Sequence, residues 1–135
     1  MGQKVGLDTS VFIYYLEDYK EYSDEADRWF KKIEVGDIQA VLSGIGLIEI
    51  LTGPKKLKRF DLAKHYYSVI VNYPNLSIFG LNERIIEMAS DLRAKYGFSV
   101  PDAVHLATAM DFGAEKFITN DASLKKIKEI QVEIL

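Results

Sequence analysis

The chain has 135 residues, of which 48% are hydrophobic and 27% are charged, a composition typical of one globular domain rather than of a disordered segment. Its 17 basic and 20 acidic residues give a formal charge of −3, which argues against a protein that coats nucleic acid through bulk positive charge. Cysteine is absent and histidine occurs twice, which excludes thiolate chemistry and three-histidine zinc sites and leaves mainly carboxylates for metal or acid–base chemistry.

In chain order, the hydrophobic pattern predicts short strands that alternate with helices. The predicted elements are a strand at 5–7, helices at 10–18 and 24–35, a strand at 39–43, helices at 45–52 and 57–73, a strand at 76–79, helices at 82–97 and 101–112, a strand at 116–119, a short helix at 122–127 and a strand at 132–134. Gly53 and Pro54 are expected to end the helix at 45–52, and Gly36, Gly97 and Gly113 to end three others.

This alternation predicts an α/β fold, a three-layer α/β/α sandwich with a central, mainly parallel sheet, formed by a single domain over residues 1–135. The helix that follows Asn82 is predicted to face inward with Ile85, Ile86, Ala89 and Leu92. No stretch approaches the roughly 20 apolar residues of a membrane span, and the first residues lack the apolar core of a secretory signal. We therefore expect a soluble, cytoplasmic protein.

Two acids fall beyond the carboxyl ends of predicted strands, where the functional groups of parallel sheets collect. Asp8 follows the first strand and Asp121 follows the fourth. Either acid can simply cap the next helix, whereas Thr119 and Asn120 can equally orient a carboxylate or a metal-bound water beside Asp121. A phosphatase or a phosphorylated receiver domain is a weaker alternative, because Ser10 stands where the phosphatase pattern has its second acid.

Glu49 lies in an apolar segment, where an ionised carboxylate is costly unless it is paired or bound to a metal. On a helix, its neighbours on the same face would be mainly small or polar: Ile45, Gly46, Thr52 and Gly53. Either this face points to water while Leu47, Ile48 and Leu51 pack inward, or the small neighbours allow a ligand to approach. The sequence leaves both interpretations open.

Asp102 lies three residues after Ser99, a spacing typical of a capping box at the start of a helix. The helix behind it, at 103–110, is apolar nearly all round and should be buried. Asp102 would then open onto the interior edge of the sheet rather than onto bulk solvent. His105, one helical turn later, is expected to point toward the core or to support the acids rather than to bind a metal.

Four acids, each at an element end or in an apolar run, thus indicate one carboxylate site: Asp8, Glu49, Asp102 and Asp121. Carboxylates without histidine or thiolate are the hard oxygen ligands that suit Mg²⁺ or Mn²⁺. Such ions usually serve phosphate chemistry, in which they polarise a phosphoryl oxygen and activate a bound water.

At these residues the sequence resembles the PIN-domain nucleases, in particular the VapC-type toxins of prokaryotic toxin–antitoxin pairs. The matching segments, in order, lie at 7–13, 48–53, 101–109 and 118–121, within a resemblance that covers about residues 5–127. The resemblance implies a parallel sheet between helices, and a metal-dependent endoribonuclease that cuts RNA through the four acids. It also implies a homodimer that a small antitoxin protein neutralises.

The resemblance further assigns supporting positions around the acids. Thr9 and Thr119 match hydroxyl positions that support them, and Asn120 matches a polar neighbour. Family members often carry a hydroxyl residue upstream of the glutamate; residues 44–47 have none here, and Ser43 is the candidate substitute. The family also includes RNA-processing nucleases without a toxin role, and a non-catalytic PIN-like module that binds RNA or protein is a further alternative.

One stretch of the chain is strongly basic and includes Lys55, Lys56, Lys58 and Arg59. A solvated helix face is the simpler interpretation of such a stretch. The functional interpretation is a surface that positions the phosphates of RNA beside the acidic site.

Overall fold

A sheet of five parallel strands forms the centre of the computed structural model, which describes residues 2–18 and 21–135. The strands are β1 (Gln3–Leu7), β2 (Ile38–Ser43), β3 (Leu76–Phe79), β4 (Lys116–Thr119) and β5 (Gln131–Ile134). They lie in the order β3-β2-β1-β4-β5. The predicted domain range 1–135 also includes Met1, Tyr19 and Lys20, which lie outside the described residues.

Helices cover both faces of this sheet. They are α1 (Thr9–Glu17), α2 (Ser23–Glu34), α3 (Gly44–Lys56), α4 (Phe60–Val71), α5 (Glu83–Tyr96) and α6 (Val100–Phe112), with a short 3-10 helix (Ala122–Lys126) after β4. One hydrophobic cluster joins β1 and β2 to α1, α2, α3 and α4, with Phe12 and Phe30 among its buried residues. A second joins β4 to α5 and α6, with Leu106 and Phe117 buried. The predicted three-layer α/β/α fold is confirmed.

The strand order reverses beside β1, and this reversal determines where a crevice can form at the edge of the sheet. The chain passes from β1 outward to β2 and β3, and then returns so that β4 pairs with the other side of β1. The helix after β1 packs into the first cluster, whereas Leu124 of the 3-10 helix packs into the second, so the two connections leave toward opposite faces. Such a reversal opens a crevice at the carboxyl ends of the two strands. Asp8 and Asp121 lie at this edge.

α6 packs directly on β1, and a glycine permits that approach. A β-carbon on Gly6 would lie 2.4 Å from the β-carbon of Ala109, well inside normal contact. As predicted, the middle of α6, from Ala103 to Ala109, is entirely buried. The close packing of this helix on β1 holds its first turn, with Asp102, beside the end of β1.

Several details of the helices differ from the sequence prediction. α3 does not end at Gly53 but continues through Pro54, because a glycine before proline lacks the β-carbon that normally clashes in a helix. α4 begins at Phe60 instead of residue 57, since Lys58 adopts a left-handed conformation with φ of 58°. On α5, Ile86 is 55% exposed, so its inward prediction is wrong, while Ile85 is fully buried. None of the helices in residues 2–18 and 21–135 is long and apolar enough to cross a membrane.

Candidate active site at the carboxyl edge of the sheet

Asp8 is held by residues from two elements at once. It is the N-cap of α1, where Oδ1 accepts a hydrogen bond of 2.7 Å from the backbone N–H of Thr9. Its other oxygen, Oδ2, accepts a hydrogen bond of 2.5 Å from the hydroxyl of Thr119 at the end of β4. The capping interpretation is therefore correct, and the neighbouring strand additionally fixes the carboxylate.

The surroundings of Asp8 oppose its negative charge. Burial is the largest influence and raises the pKa of the Asp8 carboxyl above its usual value, and the negative charge of Asp102 raises it further. The hydrogen bonds from Thr119 and Thr9, and the positive charge that His105 carries when protonated, lower the pKa but do not offset burial. A cation bound near Asp8 would therefore stabilise its ionised carboxylate.

Asp102 occupies the first turn of α6. Its backbone N–H donates to the hydroxyl of Ser99, the N-cap, over 3.3 Å, which confirms that Ser99 caps this helix. The side chain of Asp102 is half-buried, and its charge acts on Asp8. Asp8 and Asp102, which are far apart in sequence, therefore come within electrostatic range of each other at the crevice.

Glu49 joins this region through hydrogen bonds from two other elements. Its Oε1 atom accepts a bond of 2.8 Å from the hydroxyl of Thr9 and lies 2.9 Å from Nε2 of His105. The other ring nitrogen of His105, Nδ1, lies 2.6 Å from the hydroxyl of Ser43. His105 is buried and supports an acid, as the sequence predicts, and Ser43 contacts Glu49 only through His105.

The structure corrects one part of the first interpretation of the Glu49 face, and the approach of a ligand stays a prediction. Ile48, expected to pack inward, is 64% exposed. Gly46 is buried, and a β-carbon there would lie 2.5 Å from Cδ1 of Leu42 and 3.3 Å from the hydroxyl of Thr9. The small residue therefore allows α3 to approach β2 and α1, and it brings Glu49 within reach of Thr9.

Asp121 is held locally and is exposed. Its Oδ1 atom caps the 3-10 helix by accepting bonds from the backbone N–H of Ser123 (3.0 Å) and from the Ser123 hydroxyl (2.6 Å). The backbone N–H of Asp121 donates to the same Thr119 hydroxyl that donates to Asp8. The side-chain amide of Asn120 donates to the hydroxyl of Tyr14 on α1. Thr119 is thus the direct link between the two strand-end acids.

The four acids do not form one closed group of ligands. Within residues 2–18 and 21–135, no three histidine, aspartate or glutamate side chains are close enough together to hold a metal ion. The donor chemistry nevertheless fits a hard cation, because Mg²⁺ commonly binds through one or two carboxylates and keeps several waters. Asp8 and Asp102 would be such a pair, and hydrogen bonds through Thr9 and Thr119 connect Asp8 to Glu49 and Asp121.

The basic stretch lies where α3 meets α4. Lys55 and Lys56 are in the last turn of α3, Lys58 is in the connection, and Arg59 forms a salt bridge of 3.2 Å with Asp61. All four cations are exposed. A groove of about 560 Å³ opens beside them between α3 and α4, with Lys55 in its lining. The structure is thus compatible with both the solvated face and the phosphate-positioning surface.

The fold is a parallel five-stranded α/β domain, and Asp8 and Asp121 lie where its strand order reverses. The protein thus belongs to the class of α/β domains with acids at the carboxyl edge of the sheet. The sequence matches the model of the PIN domain over residues 5–130. The chain therefore belongs to the PIN-domain family, as the resemblance of its acidic motifs predicts.

Solved structures share this fold over nearly the whole chain. VapBC2 from Rickettsia felis, bound to a promoter DNA fragment, matches with 17% identity and a TM-score of 0.75, covering 98% of each chain. A toxin–antitoxin complex from Klebsiella pneumoniae matches with 24% identity and a TM-score of 0.68, covering 96% of this chain and 95% of that one. VapC20 from Mycobacterium tuberculosis, a toxin that cleaves the sarcin–ricin loop, matches with 16% identity and a TM-score of 0.71, covering 94% and 98%. No curated protein sequence matches this chain.

Proposed function

We propose that this protein is a metal-dependent endoribonuclease that hydrolyses phosphodiester bonds of RNA and acts as the toxin of a toxin–antitoxin pair. The observation that carries the proposal is the buried carboxylate of Asp8 at the carboxyl edge of a PIN-domain sheet, fixed by hydrogen bonds from Thr9 and Thr119 and within electrostatic range of Asp102. The likeness in fold to a toxin that cleaves the sarcin–ricin loop supports RNA as the substrate class.

In this proposal Asp8 and Asp102 hold Mg²⁺ or Mn²⁺, and Asp121 contributes directly or through water. The ion would supply Lewis-acid stabilisation of the phosphoryl oxygen and would acidify a bound water. Thr9 and Thr119 fix the two oxygens of Asp8 through their hydrogen bonds. Glu49 completes the site or orients the attacking water. Hydrolysis adds water to phosphorus and releases the 3′ oxygen, which takes up a proton.

The basic and apolar surface around α3 and α4 suits the proposed partners. Lys55, Lys56, Lys58 and Arg59 would contact RNA phosphates, since such contacts position a nucleic acid without reading its sequence. The groove beside them has an apolar lining that includes Phe60, itself 60% exposed, and would receive an antitoxin segment. We also propose a homodimer. Structures of toxin–antitoxin complexes with this fold favour the toxin role over RNA processing or a non-catalytic module.

Cleavage of RNA by the purified protein tests this function. The wild-type protein should cut single-stranded and stem-loop RNAs with Mg²⁺ or Mn²⁺ and lose this activity in EDTA. Asp8→Asn and Asp102→Asn should each abolish cleavage while the circular dichroism spectrum stays unchanged. Asp91→Asn, the same change at an exposed position of α5, should keep full activity. Activity that survives EDTA, or that persists in both site variants, would contradict the proposal.

A further inference from the structure

A chain of hydrogen bonds runs from the start of α3 through α6 to the carboxylate of Glu49. The backbone N–H of Gly46 donates to the hydroxyl oxygen of Ser43 over 3.1 Å. That oxygen lies 2.6 Å from Nδ1 of His105, and Nε2 of His105 lies 2.9 Å from Oε1 of Glu49. The hydroxyl of Thr9 donates to the same Oε1. The chain thus links four elements, β2, α3, α6 and α1, and two groups, the ring of His105 and the hydroxyl of Thr9, contact Oε1 of Glu49.

The donors and acceptors of this chain are consistent with a hydrogen on Nε2 of His105. An ionised carboxylate has no hydrogen to give, so Nε2 of His105 must be the donor to Glu49. The hydroxyl of Ser43 already accepts from Gly46 and has one hydrogen, which it can donate to an unprotonated Nδ1. Both conditions hold when the ring hydrogen sits on Nε2. The carboxylate of Glu49 thus requires the hydrogen on Nε2, and the hydroxyl of Ser43 supports this form by donating to Nδ1.

The two residues of this contact differ in exposure, since His105 is buried and Glu49 is partly open to water. The side chain of His105 is 3% exposed, so its ring has no water with which to replace either partner. The side chain of Glu49 is 41% exposed and could be hydrated without assistance. The contact with the buried ring of His105 therefore restricts the rotamer of Glu49, a carboxylate that water could solvate without it. The bonds that described residues donate to Glu49 both end on Oε1, which leaves Oε2 for another ligand.

We propose that Ser43 and His105 are positioning residues that fix the rotamer of Glu49 and present its Oε2 atom to the active site. This inference rests on the proposed function, in which Glu49 belongs to that site. Outer residues that orient a ligand commonly change metal affinity or activity by about 10–100-fold when they are replaced. The role does not require His105 to bind the metal or to transfer a proton.

The first test measures the tautomer of His105 in the metal-free protein by ¹⁵N NMR at neutral pH. The chain has two histidines, so a His65→Gln variant assigns the remaining signals to His105. Wild type and Ser43→Thr should show the hydrogen on Nε2, and Ser43→Ala should show a mixture of tautomers. Asn82→Ala, which removes the side-chain cap of α5 and leaves Ser43 and His105 in place, controls for the lost helix cap. A wild-type hydrogen on Nδ1, or an unchanged tautomer in Ser43→Ala, would overturn the proposed positioning by Ser43 and His105.

The second test measures Mn²⁺ binding by calorimetry without RNA, together with kcat and KM for cleavage. His105→Leu should weaken Mn²⁺ binding by about 10–100-fold and lower kcat more than it changes KM. His105→Gln keeps an N–H near the position of Nε2 and should recover most of both losses. Adding His105→Leu to Glu49→Gln should cause no further loss, because the positioned carboxylate is already absent.

The outcomes separate this inference from the proposed function. If wild type binds Mn²⁺ and cleaves RNA but His105→Leu binds as tightly and cleaves as fast, the positioning role is overturned and the nuclease stands. If wild type neither binds Mn²⁺ nor cleaves RNA, the proposed function fails, and the inference fails with it. Should His105→Leu not fold, the same comparison is made with Ser43→Ala against Ser43→Thr.

Discussion

The two sides of the candidate site are held in different ways. The inner side, formed by Asp8, Glu49, Asp102 and His105, depends on residues that are distant in sequence: Thr119 bonds to Asp8 across 111 positions and His105 lies against Glu49 across 56. The outer side, formed by Asp121 and Ser123, depends on bonds across two positions. Both sides belong to the same edge of the sheet.

This difference separates fixed groups from adjustable ones. The acids of the inner side keep their positions only while β1, β4, α3 and α6 are packed together, so the whole fold determines their geometry. The side chain of Asp121 is exposed, and its Oδ1 atom accepts hydrogen bonds from Ser123 in its own loop. We therefore expect the inner side to define the site and the outer side to adapt to what binds there.

The largest expected difference is in catalysis. Asp8→Asn should abolish RNA cleavage, because it removes the buried carboxylate that Thr9 and Thr119 fix at the proposed metal site. Asp121→Asn should reduce cleavage by about 10–100-fold, the effect typical of a residue that supports a metal site from outside. Initial rates on one RNA substrate with saturating Mn²⁺ measure both. Equal losses in the two variants would show that the adjustable acid is as important as the fixed one.

The sequence indicates these four acids because their local contexts are unusual, whether at a strand end or within an apolar run. Helix caps are similarly local, so Ser99 and Asn82 could be assigned from spacing alone, as the structure confirms. The end of α3 could not be assigned from the sequence, because proline usually terminates a helix. The helix continues through the buried Pro54 because Gly53 before it lacks a β-carbon.

The family resemblance identified Thr9 and Thr119 as supporting residues, but which acid each supporting residue contacts could not be read from the sequence. Ser43 and His105 lie 62 positions apart, and nothing in either segment indicates that the folded sheet brings them within 2.6 Å. Ile86 shows the same limit, because its position on the helix suits an apolar face and only the packed structure leaves it in solvent. Local patterns identified the chemical groups, and tertiary packing determined which of them meet.

A smaller difference is expected between two glycine variants. Gly46→Ala would place a β-carbon 2.5 Å from Leu42 and close to Thr9, and such overpacking destabilises a core by about 1–3 kcal/mol. Gly80→Ala meets no atom within 4 Å and should be nearly neutral. Urea denaturation measures the free energy of unfolding of each. If Gly46→Ala is as stable as wild type, the close approach of α3 to α1 is not required for the inner side.

A third comparison concerns hydroxyl groups. Thr119 is fully buried and donates to Asp8, so Thr119→Val should lower the free energy of unfolding by about 1–3 kcal/mol by leaving a buried oxygen without its donor. Ser123→Ala removes a hydroxyl from the exposed cap of Asp121 and should change stability by less than about 0.5 kcal/mol. Thermal and urea unfolding of both variants decide between them. Equal effects would mean that the two sides are held equally firmly.

The smallest expected effect is the dependence of stability on pH that Asp8 introduces. Because burial raises the pKa of Asp8 in the folded protein above its ordinary value of 3.8, the folded state binds the proton more tightly than the unfolded state. The stability that this proton contributes is complete below pH 3.8 and is lost as the pH rises through the raised pKa. Asp8→Asn lacks this loss, so its stability relative to wild type should increase with pH. Mn²⁺ at neutral pH should reverse the order, because it binds and stabilises wild type but not Asp8→Asn. Urea unfolding between pH 3 and pH 7, with and without Mn²⁺, measures both effects, and a wild-type protein that gains stability over Asp8→Asn as the pH rises without metal would show that hydrogen bonds, rather than burial, dominate at Asp8.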